Sequence, residues 1–162
     1  MERIIHPIPP LYDEQSRVLI LGSFPSVKSR EGRFFYHHPQ NRFWKVISAL
    51  YEEAVPVTIE QKKELLLRLR IAVWDVIQSC EIVGSSDSSI RNVIPNNPAD
   101  ILKHSCVEHI FTNGNTSHRL YMKYIYPVTG MESMKLPSTS PANAGYTLDR
   151  LLEEWSILKK YT

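Results

Sequence analysis

The chain is short of cysteine: Cys80 and Cys106 are the only two thiols, and they are not spaced as CxxC. Such a pair supports neither a disulfide framework nor an iron–sulfur cluster, and it suits a reducing compartment. Long apolar runs are missing as well. No stretch approaches the roughly 18 apolar residues that a membrane-spanning helix needs. Met1 to Pro10 carries Arg3 and three prolines but no apolar segment of the kind a signal peptide requires. The expectation is a cytoplasmic protein with no membrane partner. An excess of one charge is also absent. The net charge is +2 and the sequence pI about 8.5. That is compatible with a polyanionic partner but stays below the pI of about 9 at which composition alone argues for nucleic acid.

Several chemistries are excluded by missing motifs. No GxGxxG follows the first strand, so dinucleotide binding is disfavoured. No Walker A sequence is present, nor a GxSxG elbow. Repeats, low-complexity tracts and linkers are lacking, so residues 1–162 read as a single domain, long enough to enclose one core. Histidines and thiols give no convincing metal set. Cys106 and His109 are three apart in a strand and point to opposite faces, while His104 belongs to the end of the preceding helix. These side chains are expected to be packed or at the surface, and no metal is expected.

What is there alternates between strand and helix. Arg17 to Gly22 is an apolar run ending at glycine and reads as a buried strand. Lys28 to His38, rich in basic and aromatic residues, reads as a loop. Phe43, Val46, Ile47, Leu50 and Tyr51 follow helical spacing across 41–51. Thr58 and Gln61 form a capping-box pattern opening a second helix. Ile71 to Val76 is the second strand, and a polar loop, Gly84 to Ser89, follows. Asn97 and Pro98 read as an N-cap and first helical residue, opening a helix that runs through His104. Val107 to Phe111 is a third strand, Thr116 to Tyr126 a helix, and Ser133 to Leu136 a fourth strand. Thr147 caps a last helix with the stripe Leu148, Leu151, Leu152, Trp155 and Leu158.

This order predicts an α/β fold. It is a three-layer α/β/α arrangement with a central four-stranded, mainly parallel sheet. Ligands of such sheets bind outside the carboxyl ends of the strands. The loops 22–40, 77–90, 112–116 and 137–146 should therefore share one cleft.

One segment is sharper than the rest. His38-Pro39-Gln40-Asn41-Arg42-Phe43-Trp44 resembles the H-P-x-N-R-F-W signature of the mismatch-specific branch of the uracil-DNA glycosylase superfamily. Gly22-Ser23-Phe24-Pro25-Ser26 resembles the first motif of that family, a G-x-N-P-G loop. Leu136 to Asn143, with Pro137-Ser138, resembles the second. The three motifs occur in order between residue 17 and about residue 152. Phe24 stands where most members carry the Asn or Asp that holds the attacking water. Together with the serine-rich loop from Gly84 to Ile90, this looks most like the hypoxanthine (deoxyinosine)-DNA glycosylase branch.

The resemblance implies a monofunctional DNA glycosylase of base excision repair, acting on hypoxanthine before uracil and using no cofactor. It implies DNA with deaminated bases as partner, downstream abasic-site-processing enzymes, and a monomer. The alternatives within the same fold are a uracil or G:U/G:T mismatch glycosylase and an inactive DNA-binding module. Another is a binder of small nucleotides. In the hypoxanthine branch the water-positioning role belongs to the Asn of the signature, here Asn41. A plain helix cap is the competing role, and both can coexist. Tyr36 occupies the position whose ring stacks on the flipped base, unless it merely covers the core edge. Asn113 is the second catalytic candidate, for the base edge or the leaving group, against a left-handed turn residue before Gly114. Asp75 is a candidate base reader, or a brace for loop backbone, with Asp87 a weaker rival. Gly22, Ser23 and Phe24 complete the base pocket with Ser138, Ser140 and Asn143. Ser26, Lys28, Arg30 and Arg33 are candidates for the DNA backbone.

Overall fold

The computed structural model describes residues 2–162. Its strands are β1 (Arg3–Ile5), β2 (Val18–Gly22), β3 (Ile71–Asp75), β4 (Ile77–Glu81), β5 (Arg91–Pro95), β6 (His109–Asn113) and β7 (Ser133–Leu136). Its helices are α1 (Val27–Gly32), α2 (Phe43–Leu50), α3 (Ile59–Arg68), α4 (Ala99–Lys103), α5 (Asn115–Tyr124), α6 (Tyr126–Thr129) and α7 (Leu148–Trp155).

β2 is buried along its whole length, as a strand covered on both faces must be. It lies at the centre of a sheet of order β3-β2-β6-β7 in which every pairing is parallel. Strand side chains alternate between faces. Val18 and Ile20 therefore pack with Val46 and Ile47 of α2, Leu66 of α3, and Leu151 and Trp155 of α7. Leu19 and Leu21 pack on the other side with Ile101 of α4 and Leu120 and Tyr121 of α5. The result is the three-layer α/β/α architecture, with the four expected strands in one parallel sheet. The capping box at Thr58 and Gln61 is formed, and Thr147 accepts from the Arg150 N–H at the start of α7.

Five local expectations are corrected. The stretch 28–38 is not all loop. Ser26 caps α1 by accepting from Ser29 N–H, and Arg33 ends the helix in the left-handed region at φ 55°. The stretch 77–90 is not a single polar loop either. After Val76 the chain continues as β4, pairs antiparallel with β5 and, on its other edge, with β1. This second, three-stranded sheet has the order β1-β4-β5. The serine-rich residues 84–89 are the tip of its hairpin. Asn97 is not the cap of α4. Pro98 holds that position, and Asn97 Oδ1 accepts from Ala99 N–H at 3.0 Å. The helix read across 116–126 divides into α5 and α6, and the third strand begins at His109 and runs to Asn113.

Candidate active site

Parallel register brings the strand ends level. Gly22 of β2 is paired with Asp75 of β3, and Asn113 of β6 with Leu136 of β7. The segments leaving these ends enclose a cleft of about 530 Å³, within the usual size range of small-ligand sites. Gly22, Ser23, Phe24, Ser26, Tyr36, Asn41, Asp75, Asn113, Ser138 and Ser140 all line it, as do Asp87 and Thr139.

The floor is built at Gly22. A methyl group there would lie 2.5 Å from Asp75 Oδ1 and 3.4 Å from the Tyr36 hydroxyl oxygen. Only a residue without a side chain lets the Asp75 carboxylate cross the end of β2. Asp75 is buried, and its Oδ2 receives a hydrogen bond from His6 Nε2 at 2.6 Å. The His6 Nδ1 in turn accepts from the Ile8 N–H at 3.1 Å. Nδ1 therefore holds no proton in this network, which assigns the hydrogen to Nε2. Phe24 is buried and meets the His6 ring edge-on, with ring centroids 5.9 Å apart.

Tyr36 has a positive φ of 52° and stacks on Phe43 of α2 at a centroid distance of 4.0 Å. One face of its ring is thus covered by the core. Its hydroxyl is buried, and no hydrogen-bond partner reaches it among the described residues. Burial raises this phenol above its ordinary range, the Asp75 charge adds to the rise, and the nearby Asn113 amide opposes it.

Asn41 precedes α2. Its Oδ1 accepts from the Phe43 N–H at 2.9 Å, the first N–H of the helix, although Arg42 and not Asn41 holds the cap position, and the same residue lines the cleft. Its Nδ2 and the second lone pair of Oδ1 are not used in that bond. The neighbouring Arg42 ties this helix to the loop 137–146. Its backbone N–H bonds Thr139 O at 3.0 Å, and its guanidinium donates to Asn143 O at 3.0 Å and to Tyr146 O. Trp155 of α7 adds a bond from Nε1 to Pro137 O at 2.9 Å.

Asn113 is committed to the same loop. Its Nδ2 donates to Thr139 Oγ1 at 3.0 Å, and its Oδ1 accepts from Thr139 N–H at 3.1 Å. Thr139 is fully buried by this lock. One N–H of the amide is left over. Gly114 follows at φ 101°, and a side chain there would press on Ser138 Cβ at 3.1 Å. Ser138 Oγ accepts from Ser140 N–H and Ser140 Oγ from Ala142 N–H, so both hydroxyls shape the loop. Asn143 lies in an adjoining cleft and donates from Nδ2 to Ser138 O at 2.9 Å.

The hairpin tip forms the opposite lip. Ser23 Oγ donates to Asp87 Oδ1 at 2.9 Å, and Ser85 Oγ accepts from Val27 N–H. Asp87 is exposed and lines the cleft. Desolvation there raises its pKa, the Asp75 charge adding to the rise and the Ser23 hydroxyl opposing it.

The basic candidates lie outside the cleft. Lys28 is exposed and faces Glu31 at 3.9 Å. Arg30 bonds Pro25 O and Gly84 O, joining α1 to the hairpin tip, and lies over the Phe24 ring. Arg33 is exposed at the end of α1. Ser26 lines the cleft while it caps α1.

Three residues of the site, His6, Arg42 and Thr139, carry roles that the sequence does not reveal, although Arg42 lies in the signature and Thr139 in the loop 137–146. A single histidine in a proline-rich segment carries no periodic or motif signal. The partners of Arg42 and Thr139 are backbone groups, which leave no trace in composition.

Comparison with known proteins fits this geometry. The family model described as the uracil DNA glycosylase superfamily matches residues 9–160. A hypoxanthine DNA glycosylase from Methanosarcina barkeri is 31% identical over 138 residues, covering 83% of this chain and 85% of that protein. A hypoxanthine DNA glycosylase from Methanosarcina acetivorans is 30% identical over 155 residues, covering 94% and 96%. The solution structure of a candidate uracil DNA glycosylase from Methanosarcina acetivorans superimposes with a TM-score of 0.82 at 28% identity, over 98% of this chain and 99% of that one. The chain belongs to the uracil DNA glycosylase superfamily.

Proposed function

We propose that the protein is a monofunctional DNA glycosylase that removes deaminated bases, hypoxanthine first, in base excision repair. The observation that carries the proposal is the meeting, in one cleft, of Asn41 from the signature segment with Asp75 and Asn113 from the strand ends. The two relatives named hypoxanthine DNA glycosylase support the substrate.

The reaction breaks the C1′–N bond. The bonding electrons leave with the base, which takes up a proton, and a water oxygen bonds to C1′ while its spare proton goes to solvent. The product is an abasic site. When departure of the base runs ahead of attack, the sugar is oxocarbenium-like and water needs holding more than deprotonating. Asn41 is suited to that task. Its Oδ1 is oriented by the Phe43 N–H, and an amide held in this way keeps a lone pair and an Nδ2–H for the water. Phe24 cannot orient water, so Asn41 carries the role alone.

The base must leave the stack and enter the cleft. Tyr36 is braced from behind by Phe43 and offers its other ring face for stacking. Asp75 Oδ1 is the acceptor for an N–H on the base edge. Asn113 holds the loop 137–146 in place and has one N–H left for a base carbonyl or the leaving group. Ser23, Ser138 and Ser140 line the pocket, and Asn143 supports it from behind. Ser26, Lys28, Arg30 and Arg33 flank it on the side where the DNA backbone would run.

The test is incubation, with chelator present, with duplexes holding one deoxyinosine or one deoxyuridine, followed by hot alkali. Alkali-dependent breaks at deoxyinosine are expected. Breaks at deoxyuridine alone would keep the class and overturn the substrate. Binding without breaks at either would leave a DNA-binding module.

A further inference from the structure

One buried pair beside the cleft has no part in the water-holding chemistry. The side chains of His6 and Asp75 are 3% and 6% exposed, and their polar atoms are 2.6 Å apart. His6 follows β1 and is anchored by its own backbone N–H to Gln78 O at 2.7 Å. Its ring is wedged between Phe24 and Phe35, at centroid distances of 5.9 and 6.2 Å. The Ile8 N–H occupies Nδ1, so Nε2 is fixed as the donor. Asp75 Oδ2 is thereby taken. Asp75 Oδ1 accepts no hydrogen bond among the described residues, and the residue lines the cleft.

We propose that His6 is a positioning residue for base selection: it holds Asp75 so that one fixed, acceptor-only oxygen meets the base edge. The inference rests on the reading of Asp75 as the base-edge group. A carboxylate oxygen accepts from the N1–H of hypoxanthine or the N3–H of uracil. The N1 of adenine is itself an acceptor, and a held Oδ1 faces it lone pair to lone pair. Deamination exchanges acceptor for donor at this position of a purine. A rigid acceptor distinguishes the two bases, whereas a carboxylate free to swing could instead accept from the 6-amino group of adenine. The N-terminal segment, which lies apart from the family motifs, thus becomes part of the specificity apparatus.

Four variants test this by single-turnover base release from deoxyinosine and deoxyadenosine duplexes, with a melting curve for each protein. His6→Leu keeps bulk and loses the donor. Its single-turnover rate on deoxyinosine is expected to fall about tenfold or more, the scale of a lost hydrogen bond to a charged group. His6→Gln places an amide N–H where Nε2 was and is expected to stay within about threefold. In Asp75→Asn, His6 pins the amide oxygen inward and turns the NH2 towards the base N–H, donor against donor. A loss of about 100-fold is expected. In His6→Gln/Asp75→Asn the glutamine can reverse and accept, the asparagine oxygen turns to the base, and about tenfold of the activity returns.

A structural role for His6 does not yield a double variant more active than Asp75→Asn. Inactive Asp75→Asn with no recovery in the double variant overturns the His6 proposal alone. Fully active Asp75→Asn overturns the Asp75 reading and this proposal with it. If His6→Leu does not fold, the glutamine pair still decides the matter.

Discussion

Replacing Gly22 by alanine puts one methyl group where the cleft has no room. The added carbon would sit 2.5 Å from Asp75 Oδ1, 3.7 Å from its Cγ and 3.4 Å from the Tyr36 hydroxyl. Ordinary contact needs about 3.5 Å, so the carboxylate oxygen must retreat by about 1 Å. β2 cannot yield instead, because it is paired on both edges. The retreat strains or breaks the 2.6 Å bond from His6, which is buried. A lost hydrogen bond to a charged group and mild overpacking each cost about 1–3 kcal/mol. They are partly the same event, so a total of about 2–4 kcal/mol is expected. For a chain of this length that lowers Tm by roughly 5–15 °C. A misplacement of about 1 Å at a substrate-positioning group costs on the order of 100-fold in rate. Thermal melting and single-turnover release from a deoxyinosine duplex measure the two effects. A Gly22→Ala protein with Tm within 2 °C or so of the parent and an unchanged rate would refute the floor built from Gly22, Asp75 and His6.

Three further outcomes are expected. Asn41→Ala should lose about 100-fold in base release and about 1 kcal/mol of stability, since the side chain also accepts from the Phe43 N–H at the start of α2. Asn41→Ser restores the bond to Phe43 N–H and the melting temperature but not the rate; joint recovery of both would tie the residue to holding the helix start alone. Arg42→Ala should cut the rate about tenfold by freeing the loop 137–146, and Arg42→Lys should not restore it because an ammonium lacks the fork that spans Asn143 O and Tyr146 O. Amide exchange across 138–146 would rise in both, and unchanged exchange contradicts the clamp. Tyr36→Phe should be as stable as the parent or about 1 kcal/mol more so at pH 7, because the hydroxyl it removes is buried without a partner. The Tyr36 phenol is raised in the folded state. Its contribution to stability is therefore present below the unfolded value of about 10 and is lost as pH climbs from there towards the raised one. The variant's advantage in denaturant titrations should widen above about pH 10, and an advantage that narrows there contradicts the buried, neutral phenol.

The parallel sheet was legible because its strands are short, continuous apolar runs, and β2 is the clearest of them. α2, α3 and α7 showed themselves by spacing and by the caps at Thr58 and Thr147. β4 and β5 did not, since Gln78, Ser79, Arg91 and Asn92 give no apolar alternation and the strands are held by pairing to each other. β1 has only three residues, and β4 is its one partner strand. α1 carries no apolar stripe, and its capping serine lies within a stretch that reads as loop. At the site, the signature segment located Asn41, and the rule of strand ends located Asp75 and Asn113. What sequence could not give is how these groups are spent. Asn113 reads as a base contact, yet most of its amide holds Thr139. Arg30 reads as a phosphate contact, yet its guanidinium bonds two backbone carbonyls. His6 contributes its ring across a sequence distance that no local pattern encodes.

The most direct test of the proposed chemistry is the identity of the released base. The protein is incubated with a duplex carrying one deoxyinosine, small molecules are separated from the DNA, and the free base is identified by mass. Free hypoxanthine in amount equal to the abasic sites, abolished in the Asn41→Ala protein, is the expected result. Release of hypoxanthine at the parental rate by folded Asn41→Ala would contradict the water-holding role, and no free base from either protein would contradict glycosylase chemistry itself.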